Sequence, residues 1–248
     1  MTTLNLDPSP KRAVAVGAHP DDVEFGCGGT LAKWAAQGCT ITHVVCTDGS
    51  KGSWDPHADV TELVAIRQEE QKAASRALGG AGEVVFLGGE DGRLDPGPAL
   101  QDELALWLRR LRPDVVLGHD PWKRYRLHPD HRVAGFLLTD ALVAARDPHF
   151  FPEHFAREPE LSPHRPSTLL LFEADEPDHV EDISVSIESK LEALMCHRSQ
   201  LRSTMDIEDE SSQAQIQRFA RRTRERAAEH GALAGLPLAE SFKRMDRL

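Results

Sequence analysis

The sequence lacks the features of membrane-spanning, secreted and disulfide-stabilised proteins. Its 248 residues include four cysteines and no C-x-x-C pair. No apolar run approaches the roughly 20 residues of a spanning helix, and the N-terminus, MTTLNLDPSPKR, has no apolar signal segment. We therefore expect a cytoplasmic protein without membrane insertion, whose thiols are single and reduced. These thiols belong to Cys27, Cys39, Cys46 and Cys196.

Positive charge is also scarce. The chain has 29 Lys and Arg against 40 Asp and Glu, a formal net charge of -11, and a mean hydropathy of -0.42. Nucleic acids and anionic membranes bind basic patches, so we expect neither as a partner. The basic run RFARRTRERAAEH is typical of the solvated face of a helix. Without repeats or linkers, residues 1–248 are predicted to form one domain, with 1–11 as a flexible tail.

Short aliphatic runs alternate with amphipathic segments along the chain. This alternation predicts right-handed β-α-β units and an α/β fold with a mostly parallel sheet. The segment from Asp147 to Ser167 is rich in Pro and His, and predicts a long loop that is either a lid or a subunit contact. Strands are predicted at Ala13–Ala18, Ile41–Thr47, Glu83–Leu87, Asp114–Gly118, Ser167–Phe172 and Val180–Ile183. Helices are predicted from Leu31, over Thr61–Leu78 and Ala99–Leu111, from HPDH to Ala145, and over Ser186–Leu201 and Ser212–His230.

A polar cluster directly follows the first predicted strand. His19-Pro20-Asp21-Asp22 places an imidazole and two adjacent carboxylates at the end of that strand. Adjacent carboxylates repel each other, and a divalent cation makes their proximity favourable. A surface turn is the alternative interpretation, since Pro-Asp pairs are common in turns. The glycines that follow, in GCGGT, permit a tight start to a helix but lack the spacing of a dinucleotide-binding loop.

A second histidine–carboxylate cluster, His128-Pro129-Asp130-His131, opens a predicted helix. Pro129 suits the first helical position, and histidines three residues apart lie on the same side of a helix. Because the carboxyl ends of parallel strands share one edge of the sheet, both clusters should converge on one cleft with Asp48–Gly52 and Gly88–Gly92. Histidine and carboxylate ligands are typical of catalytic zinc sites.

With both clusters, the sequence resembles the zinc-dependent deacetylases of the LmbE/PIG-L superfamily. The matching motifs lie between residues 13 and 200: AHPDDVEFGCGGTLAKWAAQG, TDG, IRQEEQKAASRALG, Asp91-Gly92, HPDH and LEALMCHRSQ. VEFGCGGT and CHRSQ resemble the bacillithiol-type branch more than the mycothiol-type one. Glu24 stands one place later than the glutamate of members reading HPDDE, and receives no catalytic role. The resemblance implies a Rossmann-like three-layer αβα sandwich.

The resemblance also implies the roles of the two clusters. Asp21 would act as general base towards water and return the proton to the leaving amine. His128, kept protonated or correctly oriented by Asp130, would stabilise the oxyanion. The implied zinc (Zn2+) ligands are His19, Asp22 and His131.

Other residues keep two interpretations. Arg67 and Asp91 match family positions that contact sugar hydroxyls or nearby polar groups. The alternative for Arg67 is a helix-surface salt bridge, and the alternative for Asp91 is a turn residue. His197 either belongs to the site or packs in the core or at an interface. His119 and Asp120 either orient a ligand or belong to a turn.

The implied activity is hydrolysis of the amide of an N-acetylated amino sugar or glycoside, of the N-acetylglucosamine type. Acetate and a free amine are the products, and the substrate is a small molecule. Bacillithiol-type relatives form hexamers, which favours a homo-oligomer. The alternatives are a zinc amidase acting on larger sugar-thiol conjugates, a two-metal phosphoesterase, a non-catalytic sugar-binding module and a nucleotide-binding protein.

Overall fold

The predicted aliphatic runs lie in a sheet of eight strands in the computed structural model, which describes residues 2–80 and 84–248. The order across the sheet is β1-β7-β8-β6-β5-β2-β3-β4. The strands are β1 (Thr3–Leu4), β2 (Arg12–Gly17), β3 (Thr40–Thr47), β4 (Val84–Gly89), β5 (Val115–His119), β6 (Thr168–Phe172), β7 (His179–Asp182) and β8 (Ala239–Asp246). The α-helices are α1 (Asp22–Ala36), α2 (Val60–Ala77), α3 (Pro98–Leu111), α4 (Pro129–Arg146), α5 (Glu153–Arg157), α6 (Ile187–Met195) and α7 (Gln213–Ala232).

The sheet is mostly parallel and has a core on each face. Strands β2 to β6 pair in parallel, and β8 runs antiparallel between β6 and β7. Successive side chains of a strand point to opposite faces. Val14 and Val16 of β2 therefore pack in one core with α3 and α4, whereas Ala13 and Ala15 pack in the other with α1 and α2. The predicted α/β class, with its layered mostly parallel sheet, is confirmed.

Several boundaries differ from the prediction. Strand β8 was not predicted because AESFKRMD has no aliphatic run. The prediction of a flexible tail is wrong for Thr3 and Leu4, because they pair with β7 as strand β1. Helix α6 ends at Met195, and a separate 3₁₀ turn covers Arg198–Gln200. Helix α5 lies within the predicted loop. Of the third predicted strand, Glu83 lies outside the described residues.

Two further findings concern the thiols and the helices. All four cysteines lie in the described ranges and are free thiols. Among the helices of residues 2–80 and 84–248, none combines the length and the apolar character needed to cross a bilayer.

The sheet has a switch in strand order at β2. From β2 the chain proceeds to β3 and β4 on one side, and then crosses to β5 on the other side of β2. Loops that leave β2 and β5 at their carboxyl ends therefore diverge and leave a crevice between them, where ligands bind in such sheets. The segment His19–Asp22 follows β2 and His119 ends β5, so both lie at this crevice.

Helix α1 begins earlier than predicted, at Asp22, and has a kink at Cys27. A kink leaves backbone N–H groups without helical partners. The carboxylate of Glu240 on β8 accepts hydrogen bonds from the amides of Gly29 and Thr30, at 2.9 and 2.7 Å. The Nζ atom of Lys190 lies 2.6 Å from the same carboxylate. Glu240 thus fixes the second half of the helix that carries the HPDD segment at its start.

We expect Glu240→Ala to destabilise the protein strongly. The substitution leaves Lys190 and two helix amides without their buried partner, at a cost of about 3–5 kcal/mol. For a chain of this size that corresponds to a fall in Tm on the order of 10 °C in a thermal melt. The matched control is Lys243→Ala, also on β8, which removes an exposed ion pair with Asp178 and should change Tm little. Equal melting temperatures for both variants would contradict the capping role of Glu240.

Candidate active site

The crevice brings the two histidine–carboxylate clusters together. His19 comes from the loop after β2, and His128 and His131 come from the start of α4. The ring centroids of His19 and His128 are 4.6 Å apart. His119 stacks on His131 with centroids 4.4 Å apart. Four imidazoles, which come from three separate segments of the chain, therefore share one site.

Asp22 lies at the centre of this group. Its Oδ2 atom is 3.3 Å from His19 Nδ1 and 3.2 Å from His119 Nε2. Its Oδ1 atom is 3.3 Å from His131 Nε2. Burial would raise the pKa of Asp22, but His131 and His119 outweigh it and hold this pKa well below its ordinary value. Asp22 is therefore an ionised carboxylate that faces three imidazoles.

His19 lies among carboxylates. Its Nε2 atom is 3.2 Å from both Asp91 Oδ1 and Asp130 Oδ2. Burial lowers the pKa of His19, but hydrogen bonds with Asp130, Asp22 and Asp91 raise it well above its ordinary value. The carboxylates that favour a proton on His19 also favour a metal cation in its place, since metal binding displaces protons from ligands.

The donor atoms fit a divalent metal. Zinc takes imidazole nitrogen and carboxylate oxygen, and a catalytic site uses three such protein ligands. The described residues contain three overlapping clusters of donor atoms. No single cluster contains all three predicted ligands, and the clusters also include His119 and His128. Groups whose ligand atoms lie within 4.8 Å of one another are His19–His128–His131, Asp22–His119–His131 and His19–Asp91–His128–Asp130.

Two residues absent from the sequence motifs orient the imidazoles. Arg126 Nη1 lies 2.7 Å from His131 Nδ1. The ring therefore presents Nδ1 to Arg126 and Nε2 to Asp22. Burial lowers the pKa of His131 to about 4, which keeps the ring neutral at pH 7. Glu173 pairs with Arg126 and lies 3.4 Å from His119 Nδ1, and it therefore links the two imidazoles.

Asp21 is separated from its neighbour Asp22. It precedes α1 with φ 101° and ψ -27°, in the left-handed region. Its Oδ2 atom is 3.7 Å from Arg67 Nη2, and none of the three donor groups found in the described chain includes it. Burial raises the pKa of Asp21 to about 6. A carboxylate with a pKa near neutrality suits general base catalysis.

Arg67 and Asp91 both line the cleft. The buried Arg67 guanidinium donates to the carbonyls of Gly49 and Pro20, at 2.8 and 2.7 Å, so it is not a helix-surface salt bridge. Asp91 accepts a hydrogen bond from the Lys51 amide at 2.9 Å. Burial would raise the pKa of Asp91, but its hydrogen bond with His19 outweighs this and lowers it to about 2. Contact with a sugar stays a prediction for both.

The predicted pairing of Asp130 with His128 differs from the structure. The Asp130 carboxylate accepts from the amides of Gly92 and Leu94, at 2.6 and 3.2 Å, and contacts His19. No hydrogen bond joins it to His128 in residues 2–80 and 84–248. His128 is exposed at the cleft, and partial burial still lowers its pKa. Its role towards an oxyanion stays a prediction.

The remaining predicted residues lie near the site in different roles. His119 belongs to it directly, which leaves the turn interpretation wrong for that residue. Asp120 accepts from the Trp122 amide at 2.9 Å, as a turn residue does. His197 is fully buried and lies 3.2 Å from Glu24.

The cleft has room for a small molecule. Its volume is about 360 Å³, within the range of small-molecule sites. Several residues that line it were not predicted, because no motif marks them and they come from separate loops and helices. They are Thr204, Glu173 and Arg226. Phe25, Lys51 and Gln200 also line the cleft, and they lie in segments that the sequence analysis named without giving these residues a role.

Known proteins are similar to this chain in both sequence and fold. A family model described as PIG-L: GlcNAc-PI de-N-acetylase matches residues 14–142. Diacetylchitobiose deacetylase of Thermococcus kodakarensis is 34% identical over 190 residues, which cover 77% of this chain and 70% of that protein. N,N'-diacetylchitobiose deacetylase from Pyrococcus horikoshii superposes with a TM-score of 0.85 at 29% identity, over 98% of this chain and 87% of that one.

A third relative deacetylates a different glycoside. It is the 1D-myo-inositol 2-acetamido-2-deoxy-alpha-D-glucopyranoside deacetylase of Geodermatophilus obscurus, 34% identical over 170 residues. The match covers 58% of this chain and 56% of that protein's length. The bacillithiol-type branch is not among these three relatives and stays a prediction.

The different surroundings of the two aspartates predict different losses on substitution. Asp22→Ala removes the carboxylate between three imidazoles, and we expect zinc content to fall from about one ion per chain to a small fraction. Asp21→Ala leaves all three donor groups intact and should keep its zinc. Elemental analysis of both purified variants, after dialysis against the same zinc buffer, provides the measurement. Equal zinc contents would contradict the assignment of Asp22 as a ligand.

Proposed function

The chain belongs to the PIG-L family of de-N-acetylases, and from this membership we propose that it is a zinc-dependent hydrolase of N-acetylated amino sugars. The substrate is of the N-acetylglucosamine type, and the products are acetate and a free amine. One observation carries the proposal to this chain's own residues. Asp21 and Asp22 are adjacent but occupy separate environments. Asp22 lies among imidazoles, whereas Asp21 lies beside Arg67.

We assign the metal to His19, Asp22 and His131, with His119 beside them. When bound, zinc supplies a Lewis acid that polarises the amide carbonyl and lowers the pKa of water towards about 7. The Asp22 carboxylate and the Nε2 atom of His131 face each other at 3.3 Å, which supports their role as neighbouring ligands. Arg126 and Glu173 hold His131 and His119 in position from behind.

Asp21 is the proposed general base. Its carboxylate takes a proton from the attacking water and later gives it to the leaving nitrogen. A pKa of about 6 suits both transfers, because the group is ionised at neutral pH and still basic enough to accept a proton. His128, at the open side of the cleft, is placed to donate to the developing oxyanion.

The sugar ring is proposed to lie between Asp91 and the exposed side of the cleft. Asp91 presents its carboxylate to the cleft beside Lys51, where it can accept from a sugar hydroxyl. Whether the acylated sugar carries a second sugar, an inositol or a thiol conjugate depends on the surrounding loops. We further propose that the protein is a cytoplasmic homo-oligomer. The family resemblance supports the oligomer, and the sequence composition supports the location.

A two-metal phosphoesterase is the second candidate, and one observation favours it. The three donor groups overlap and include more side chains than one zinc requires, and paired sites use such surplus ligands to hold two ions about 3.5–4 Å apart. Two tightly bound ions per chain, together with phosphate release from a phosphomonoester, would support this candidate over the deacetylase.

We expect the zinc-loaded protein to release primary amine from at least one N-acetylated amino sugar. The panel contains N-acetylglucosamine, diacetylchitobiose and an N-acetylglucosaminyl inositol, and a fluorogenic amine reagent measures the product. Asp21→Asn should lower kcat by about 10²- to 10⁴-fold, the contribution of a general base.

The matched control is Asp140→Asn, which changes an exposed aspartate of α4 and should leave the rate unchanged. If none of the substrates in the panel releases amine, the proposed function is contradicted. Equal rates for Asp21→Asn and the unmodified protein would remove Asp21 from the mechanism.

A further inference from the structure

The backbone of Asp21 has an unusual conformation for its residue type. Its φ of 101° lies in the region that L-residues rarely adopt. Such a conformation is energetically unfavourable and persists only when the surrounding structure holds it. The conformation also directs the Asp21 side chain away from the group around Asp22. The structure must therefore contain contacts that stabilise this one peptide.

Helix α2 contacts both ends of that peptide. Arg67 Nη2 donates to the carbonyl oxygen of Pro20 at 2.7 Å. Gln71 Oε1 accepts from the N–H of Asp21 at 3.0 Å. The carbonyl and the N–H belong to the same Pro20–Asp21 peptide bond, and residues four apart lie on the same side of a helix. A flipped peptide would present an N–H to Arg67 and a carbonyl oxygen to Gln71, and both contacts would then be repulsive.

A buried chain of hydrogen bonds fixes the Gln71 amide in turn. Its Nε2 atom donates to Glu24 Oε1 at 2.8 Å, and Glu24 Oε2 lies 3.2 Å from His197 Nε2. Gln71, Glu24 and His197 are each fully buried. Because a carboxylate only accepts hydrogen bonds, Glu24 requires the NH₂ side of Gln71, and the oxygen of Gln71 is left to face Asp21.

We infer that Gln71 is a positioning residue for Asp21, and that Arg67 and Gln71 together hold the Pro20–Asp21 peptide in the orientation the reaction needs. The inference rests on the proposed role of Asp21 as general base. It gives Arg67 a second role besides the predicted sugar contact, and it gives Glu24 and His197 a part in orienting Gln71.

The first test replaces Gln71 by methionine, which keeps the volume and removes both hydrogen bonds. A displaced base costs about 10- to 100-fold, so we expect kcat to fall by that factor, with KM and zinc content unchanged. In an Asp21→Ala background the same substitution should cause no further loss, because residues that act through one another are not additive. Gln68→Met on the same helix is the matched control and should be neutral.

The second test exchanges two side chains. Gln71→Glu alone places a carboxylate against Glu24 and should impair the enzyme. The double variant Glu24→Gln with Gln71→Glu keeps the acceptor for the Asp21 amide, the bond between the two side chains and the acceptor for His197. We expect it to recover most of the lost kcat. If Gln71→Met does not fold, this pair of variants tests the positioning role of Gln71 in its place.

The third measurement does not depend on activity. Amide hydrogen exchange by NMR should show the Asp21 N–H protected in the unmodified protein and faster exchange in Gln71→Met, with α2 amides unaffected. An unchanged kcat, an equal loss in the Asp21→Ala background or an unprotected Asp21 amide would overturn the inference. An unmodified protein without deacetylase activity, but with a protected amide, would instead contradict the proposed function.

Discussion

The site depends on the separation of two carboxylates that one peptide bond joins. Asp21 and Asp22 would repel each other if both faced one point. The left-handed backbone at Asp21 turns the two side chains into different surroundings. Asp22 then lies between three imidazoles that keep it ionised, and Asp21 lies buried beside Arg67 with a pKa of about 6. One sequence motif thus places the proposed metal ligand and the proposed base in separate surroundings.

The rest of the fold maintains this separation. The switch in strand order at β2 opens the crevice into which the HPDD segment projects. Helix α1 starts at Asp22, and Glu240 of β8 caps its restart after the kink. Arg67 and Gln71 of helix α2 hold the Pro20–Asp21 peptide by hydrogen bonds. Close packing also matters: a Cβ atom at Gly26 would lie 2.6 Å from the ring of Phe172, so only glycine lets α1 lie this near to β6.

The sequence allowed the fold class and the convergence of the two clusters to be predicted, because both depend on local patterns. Aliphatic runs give the parallel strands, and parallel strands place their following loops at one edge. His119 could not be assigned from sequence, because a single histidine at a strand end has no motif around it. Gln71, Arg126 and Glu173 were missed for a related reason. Gln71 and Glu173 contact segments far apart in the chain, and Arg126 contacts both the nearby His131 and the distant Glu173. Side-chain type alone does not reveal such contacts.

The most direct test of this account is anomalous diffraction at the zinc absorption edge from crystals grown with zinc. The account predicts one anomalous peak per chain, within bonding distance of His19, Asp22 and His131, with the Asp21 carboxylate outside the coordination sphere. Two peaks per chain, or one peak bound through Asp21, would contradict the division of the two aspartates into ligand and base.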